Sequence, residues 1–109
     1  MILINKNKAN YLIKYLKVPG GYKMEKLVVI KNETGLHARP AGMFVKKASE
    51  FTSVVEVKCK GKVVNAKSIM GIMSLGLGKG EEVTICATGA DEEAAVNALV
   101  ELVESGFGE

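Results

Sequence analysis

The 109-residue chain is long enough for one domain and too short for two, and its 48% of apolar residues can build a core. Its formal net charge of +3 comes from residues 1–23, which hold five lysines and no acidic residue, whereas residues 24–109 hold ten basic and twelve acidic residues. A near-neutral domain lacks the concentrated cationic face that nucleic-acid binding requires, so we expect no nucleic-acid partner.

Residues 1–23 differ in composition from the rest of the chain. Apolar residues alternate there with Lys and Asn, and Pro19-Gly20-Gly21 then interrupts the pattern. A GGAGGT codon pair at Gly20-Gly21 would form a ribosome-binding site just upstream of a start codon at Met24. We therefore predict that 1–23 is a non-native or disordered extension and that the functional domain spans 24–109. The alternative is an amphipathic anchor that meets a membrane surface through Tyr11, Leu12, Ile13, Tyr15 and Leu16.

Downstream of Met24 the sequence predicts four strands and three helices. The strands are Lys26–Lys31, Ser53–Cys59, Lys62–Asn65 and Glu82–Thr88, and the helices are Pro40–Phe51, Ile69–Leu75 and Glu92–Ser105. Ser68 and Asp91 are the expected N-caps of the last two helices. The order β-α-β-β-α-β-α predicts an α+β open sandwich, a four-stranded antiparallel sheet with three helices on one face.

The two cysteines are predicted to be free thiols. Cys59 shares a strand face with Val55 and Val57 at a period of two, whereas Cys86 points away from the apolar face of its strand. Thiols on opposite faces of one sheet cannot form a disulfide bond. Free thiols are typical of a protein in a reducing cytoplasm. No stretch approaches the roughly 20 apolar residues of a membrane span, so we expect no membrane insertion.

The single histidine, His37, lies in the segment GLHARP between a turn and a helix that starts with Pro40. Unpaired backbone N–H groups and the helix dipole favour a bound anion there and disfavour the imidazolium ion, which leaves a nucleophilic ring. Arg39 adds a planar set of donors suited to phosphate oxygens. These residues point to a phosphohistidine site, with a structural histidine that only caps the helix as the alternative.

The segments GLHARPA, NAKSIMGIMSLG and GADEEAAVNALVELV together resemble the HPr family over residues 24–109. The resemblance implies an HPr-like open-faced β-sandwich that acts as a phosphocarrier rather than as a stand-alone enzyme, with no cofactor and no metal. It implies that phosphorylated enzyme I, which draws on phosphoenolpyruvate, phosphorylates Nδ1 of His37, and that the group then passes to the IIA domain of a sugar permease. Arg39 matches the family's phosphate-site arginine. The implied phosphate-binding residues at the helix start are Ala38, Arg39, Pro40 and Ala41.

Ser68 is the second candidate for modification. The segment Asn65–Gly71 resembles the regulatory serine motif of Gram-positive-type HPr proteins, which an ATP-dependent HPr kinase/phosphorylase modifies and which implies a link to a catabolite control transcription regulator. A role as helix cap alone is the alternative, and the two roles are compatible. A short helix this apolar cannot bury every side, so we expect an exposed partner surface. Its predicted members are Gly42, Met43, Ile69, Met70 and Met73.

Two other functions remain open. One is a regulatory phosphorelay carrier of the same fold, for instance in a nitrogen-related relay, although the Ser68 motif favours the carbon system. The other is a non-catalytic ligand-binding α+β module in which His37 merely caps the helix. The family resemblance also implies a monomer, and we expect the protein to be cytoplasmic.

Overall fold

The structure, a computed structural model, describes the backbone of residues 13–18 and 21–109 and the side chains of residues 23–109. The strands are β1 (Ile13–Val18), β2 (Gly21–Val29), β3 (Val54–Cys59), β4 (Lys62–Asn65) and β5 (Glu82–Thr88). The helices are α1 (Ala38–Ala48), α2 (Ile69–Ser74) and α3 (Glu92–Glu104), followed by a 3-10 turn at Gly106–Gly108. All strand pairs are antiparallel, in the spatial order β1-β2-β5-β3-β4.

The predicted α+β open sandwich is confirmed. Strands β2 to β5 form the predicted four antiparallel strands, and β1 adds a fifth strand at the β2 edge of the sheet. Helix α3 packs on β2 and β5, and α1 packs on α2 and α3. The core between these layers contains fully buried side chains from every layer, including Phe44 of α1, Ile72 of α2 and Leu99 of α3. Alternate residues of β3 face this core, as the period of two predicts.

The N-terminal segment contributes one strand and the start of a second strand to the sheet. Strand β2 begins at Gly21 rather than at Lys26, and β1 pairs with it from Ile13↔Lys26 to Val18↔Gly21. The alternating apolar and polar residues, followed by Pro19-Gly20 in the sequence, are typical of a β-hairpin. The rest of residues 1–20 lies outside the described residues, and the functional start at Met24 stays a prediction.

The prediction of free cysteines is confirmed. Cys59 belongs to the core, whereas Cys86 lies beside Glu25, with its Sγ 3.4 Å from the Glu25 Oε2. Burial raises the pKa of the Cys86 thiol to about 12, so the thiol stays protonated and is a poor nucleophile.

Asp91 occupies the predicted N-cap position of α3, but its side chain does not cap that helix. Its carboxylate instead accepts hydrogen bonds from the backbone N–H groups of Thr52 and Ser53, at 2.8 and 2.9 Å, and from the Ser53 hydroxyl. The Ser53 hydroxyl is the main reason that the pKa of Asp91 falls to about 2. The residue therefore joins the start of α3 to the segment that leads into β3.

Candidate functional site

His37 lies at the end of the loop that connects β2 and α1. The last residues of this loop are held in place by the segment that precedes β5. Gly35 has φ +68°, and a Cβ placed on it would lie 2.2 Å from the carbonyl oxygen of Leu77. The next residue, Leu36, is buried and donates its backbone N–H to the same carbonyl at 3.0 Å. Glycine is therefore required immediately before Leu36, because any side chain would collide with the Leu77 backbone.

His37 is the N-cap residue of α1, and its imidazole is exposed. Its backbone is extended, with φ −106° and ψ −173°, and its carbonyl accepts the Ala41 N–H at 2.7 Å. The imidazole itself forms no capping hydrogen bond with the helix. The ring nitrogens are therefore available for another molecule, which disfavours the alternative of a merely capping histidine.

Two of the four residues predicted to bind phosphate have a backbone N–H that is available for an anion. The N–H groups of Ala38 and Arg39 lie in the first turn, where an α-helix offers them no carbonyl partner. Pro40 has no N–H, and the Ala41 N–H is already bonded to the His37 carbonyl, so these two buried residues anchor the helix instead. Of the four predicted residues, Ala38 and Arg39 therefore keep a backbone N–H without a partner inside the helix.

The charges of α1 suit an anion at its N-terminus. The first turn contains no acidic residue, and Lys46 and Lys47 occupy the last turn, where cations are favourable. Arg39 is exposed two residues after His37 and forms no ion pair with any described residue. Its guanidinium is therefore free to neutralise an anion held at the helix start.

Ser68 is the N-cap of α2, as predicted. Its backbone is extended, its Oγ accepts the Gly71 N–H at 3.1 Å, and its carbonyl accepts the Ile72 N–H at 3.0 Å. The residue is half-buried at the start of the helix. The capping role is present in the structure and leaves a modification role open.

The predicted partner surface is exposed at the α2 positions. The exposed fractions are 40% for Ile69, 77% for Met70 and 39% for Met73, and we call these three residues the α2 patch. Gly42 is exposed on the neighbouring α1, with no atom within 4 Å of a Cβ built on it, whereas Met43 is half-buried against the core. The α2 patch begins at the residue that follows Ser68.

Sequence reasoning missed Asn32. This side chain is buried in the loop that leads to His37, and its Nδ2 donates to the Gly35 carbonyl at 2.8 Å and to the Thr34 Oγ1 at 3.0 Å. A side chain that bonds to its own turn is common for asparagine, and that tendency is the only signal available in the sequence.

The part of the chain that the structure describes contains neither a metal-binding cluster nor a membrane-spanning helix. No group of three or more His, Cys, Asp or Glu side chains is placed to hold a metal ion there. No helix within the same residues has the length and apolar character needed to cross a membrane.

Residues 24–105 match the family model described as "PTS HPr component phosphorylation site". The chain belongs to the HPr family. The HPr-like protein Crh of Halalkalibacterium halodurans is 49% identical over 81 residues, which cover 74% of this chain and 96% of that protein.

Solved HPr structures share the fold. A crystal structure of HPr-C-His from Thermoanaerobacter tengcongensis is 59% identical, with a TM-score of 0.77 over 78% of this chain and 96% of that chain. The phosphocarrier protein HPr from Bacillus anthracis is 46% identical, with a TM-score of 0.73 over 74% of this chain and 96% of that chain. The chain is thus an HPr-family phosphocarrier with the family's open-faced α+β sandwich.

Proposed function

We propose that this HPr-family chain accepts a phosphoryl group from phosphorylated enzyme I on Nδ1 of His37 and passes it to the IIA domain of a sugar permease. The observation that carries the proposal is the placement of His37, whose exposed imidazole stands at the N-cap of α1 without capping it. A purely regulatory member of the family, without carrier activity, is disfavoured because the histidine is present.

The transfer forms one bond and breaks one. The lone pair of neutral Nδ1 attacks phosphorus in line, the N–P bond forms, and the bond between phosphorus and enzyme I breaks. Little covalent work is left for other side chains, since phosphoryl transfer depends on positioning and on charge neutralisation. The carrier therefore needs no metal and no cofactor of its own, and it is a transfer intermediate rather than a stand-alone enzyme.

The phosphoryl oxygens would meet the N–H groups of Ala38 and Arg39 and the Arg39 guanidinium. The helix dipole adds about 0.3–1 kcal/mol of stabilisation for an anion at an exposed N-terminus. The N–P bond holds the group in the carrier, and an added stabilisation of this size is too small to trap it there, so the exposed site remains open to the next acceptor. The same geometry thus serves both the loading step and the unloading step.

Ser68 is proposed as the regulatory site of an ATP-dependent HPr kinase/phosphorylase, with a link to a catabolite control transcription regulator. A phosphate on its Oγ would carry a charge of about −1.5 to −2 beside Ile69 and Met70 of the α2 patch. We propose the α2 patch, with Gly42 and Met43 beside it, as the docking surface for enzyme I and the IIA domains. Charge placed at its edge would weaken that docking, because an apolar contact would have to desolvate the phosphate.

We further propose that residues 24–109 are the functional domain and that the protein works as a monomer in the cytoplasm. A chain that lacks residues 1–23 should be phosphorylated at the same rate as the full chain, and both should sediment as monomers. A slower truncated chain would show that the N-terminal segment contributes to transfer.

The experiment that tests the proposal is incubation of the full chain with enzyme I and radiolabelled phosphoenolpyruvate. The expected label is labile in acid and stable in base, as a phosphoramidate is, whereas phosphate on Ser68 withstands mild acid. A label that survives acid would contradict transfer to His37. Absence of any label would favour the non-catalytic module, and transfer to a nitrogen-related acceptor in preference to a sugar IIA domain would favour the regulatory relay.

A further inference from the structure

We propose that Asn32 is a positioning residue for His37, because its buried carboxamide closes the turn that carries the histidine to the start of α1. The inference rests on the proposed function and adds a residue that makes no contact with the phosphoryl group. Asn32 lies five positions before His37 and is only 4% exposed.

Asn32 closes the turn twice, once through its backbone and once through its side chain. Its carbonyl accepts the Gly35 N–H at 3.1 Å, and its Nδ2 donates to the Gly35 carbonyl at 2.8 Å. The second N–H of the carboxamide reaches the Thr34 Oγ1 at 3.0 Å. Both polar groups of the Gly35 backbone are therefore bonded to the same residue.

A displacement of Gly35 would be passed directly to the imidazole. Only Leu36 separates the two residues, and Leu36 is held by its burial and by its bond to the Leu77 carbonyl. Gly35 itself lies so close to Leu77 that it has no room to shift toward that segment. The Asn32 carboxamide thus holds the turn from one side while the Leu77 backbone holds it from the other.

The far side of the turn is attached to the C-terminal end of the chain. Lys31 forms an ion pair with Glu104, and the Thr34 Oγ1 donates to the Glu109 Oε2 at 2.8 Å. These exposed contacts are weak individually, but they bracket Asn32 and limit the directions in which the turn can move.

The Oδ1 atom of the Asn32 carboxamide shows which part of the side chain is important. Its Oδ1 is buried and has no hydrogen-bond partner among the described residues, which is costly for an amide oxygen. An apolar side chain of similar size would avoid this cost and would still fill the space. The presence of asparagine at this position is therefore explained by the two hydrogen bonds that its NH2 group donates, which an apolar side chain could not form.

The test compares Asn32→Ala and Asn32→Asp with the wild-type full chain as substrates of phosphorylated enzyme I. Aspartate keeps the size of the side chain but, when ionised, donates no hydrogen bond. We expect kcat to fall roughly tenfold, since a misplacement of about 1 Å costs up to ~100-fold in transfer. KM should stay within about twofold, because the α2 patch is untouched. Asn97→Ala and Asn97→Asp, at an exposed position of α3, are the matched controls and should match the wild type.

A spectroscopic measurement separates positioning from general loosening of the fold. In amide NMR spectra of the variants, the signals of Leu36, Ala38 and Arg39 should shift, whereas that of Gly71 should not. Unchanged kcat in a folded variant would overturn the proposal, and so would a fall in kcat that is accompanied by a rise in KM of similar size. So would failure of both variants to fold, since Asn32 would then maintain the whole domain rather than the turn. Absence of phosphorylation in the wild type would instead refute the proposed function.

Discussion

Ser68 offers a perturbation in which stability and transfer should change independently. In Ser68→Ala the Gly71 N–H loses the acceptor that now lies 3.1 Å away. Loss of an N-cap acceptor costs about 1 kcal/mol, within a range of roughly 0.5–2, which lowers the Tm of a domain of this size by about 4–8 °C. Ser68→Asp keeps a good N-cap acceptor, so its Tm should stay close to that of the wild type.

Transfer should follow the opposite order. Ser68→Asp places a negative charge beside the α2 patch, where Met70 is 77% exposed. If the charge costs enzyme I docking about 1.4 kcal/mol, the KM for the carrier rises roughly tenfold. Ser68→Ala adds no charge and should be phosphorylated on His37 at the wild-type rate below its melting temperature.

The assay measures the initial rate of His37 phosphorylation by enzyme I against carrier concentration, together with thermal unfolding of each variant. Equal transfer by the wild type and Ser68→Asp would refute the reasoning and leave Ser68 as a helix cap only. A Ser68→Ala chain as stable as the wild type would show that the Gly71 hydrogen bond contributes nothing measurable.

The remaining predictions concern the proposed phosphate-binding groups of Ala38 and Arg39 and two structural contacts. Arg39→Ala should slow loading of His37 without abolishing it, because the two backbone N–H groups remain; complete loss in stopped-flow measurements would contradict this division of roles. Gly35→Ala should cost at least about 2 kcal/mol in urea unfolding, since it combines φ +68° with a Cβ 2.2 Å from the Leu77 carbonyl oxygen; unchanged stability would mean that the loop can move away. Asp91→Asn should lower stability at neutral pH. The pKa of Asp91 is lowered from 3.8 to about 2 in the folded chain, so the advantage of the wild type should be complete above about pH 4 and disappear as the pH falls toward 2. A difference between the two proteins that does not change with pH would contradict the assignment of those hydrogen bonds to the carboxylate.

Local patterns in the sequence were sufficient for the fold and for the position of His37 at the start of α1. The period of two in β3 and β5 and the helical spacing of α1 and α3 are read from neighbouring residues. The placement of His37 required only a turn before it and Pro40 after it. Ser68 as an N-cap is likewise a local property of the short apolar helix that follows it.

Contacts between distant parts of the chain could not be predicted in the same way. Asp91 is a suitable N-cap in its own segment, but the structure pairs it with Thr52 and Ser53, which lie about 40 positions away. Gly35 reads as an ordinary turn residue, and only the fold brings Leu77 against it. The bond of the Ala41 N–H could not be predicted because α1 begins at Ala38 rather than at the predicted Pro40, which places this N–H in the first intrahelical bond, to the His37 carbonyl.

The central claim is tested most directly by locating the phosphoryl group after reaction with enzyme I and phosphoenolpyruvate. Wild-type protein and His37→Ala are treated in parallel, and the modified residue is identified by mass spectrometry under alkaline conditions that preserve phosphohistidine. We predict one acid-labile phosphoryl group on His37 of the wild type and none on a folded His37→Ala chain. Phosphorylation of His37→Ala to the wild-type extent, or an acid-stable group on another residue, would contradict the account.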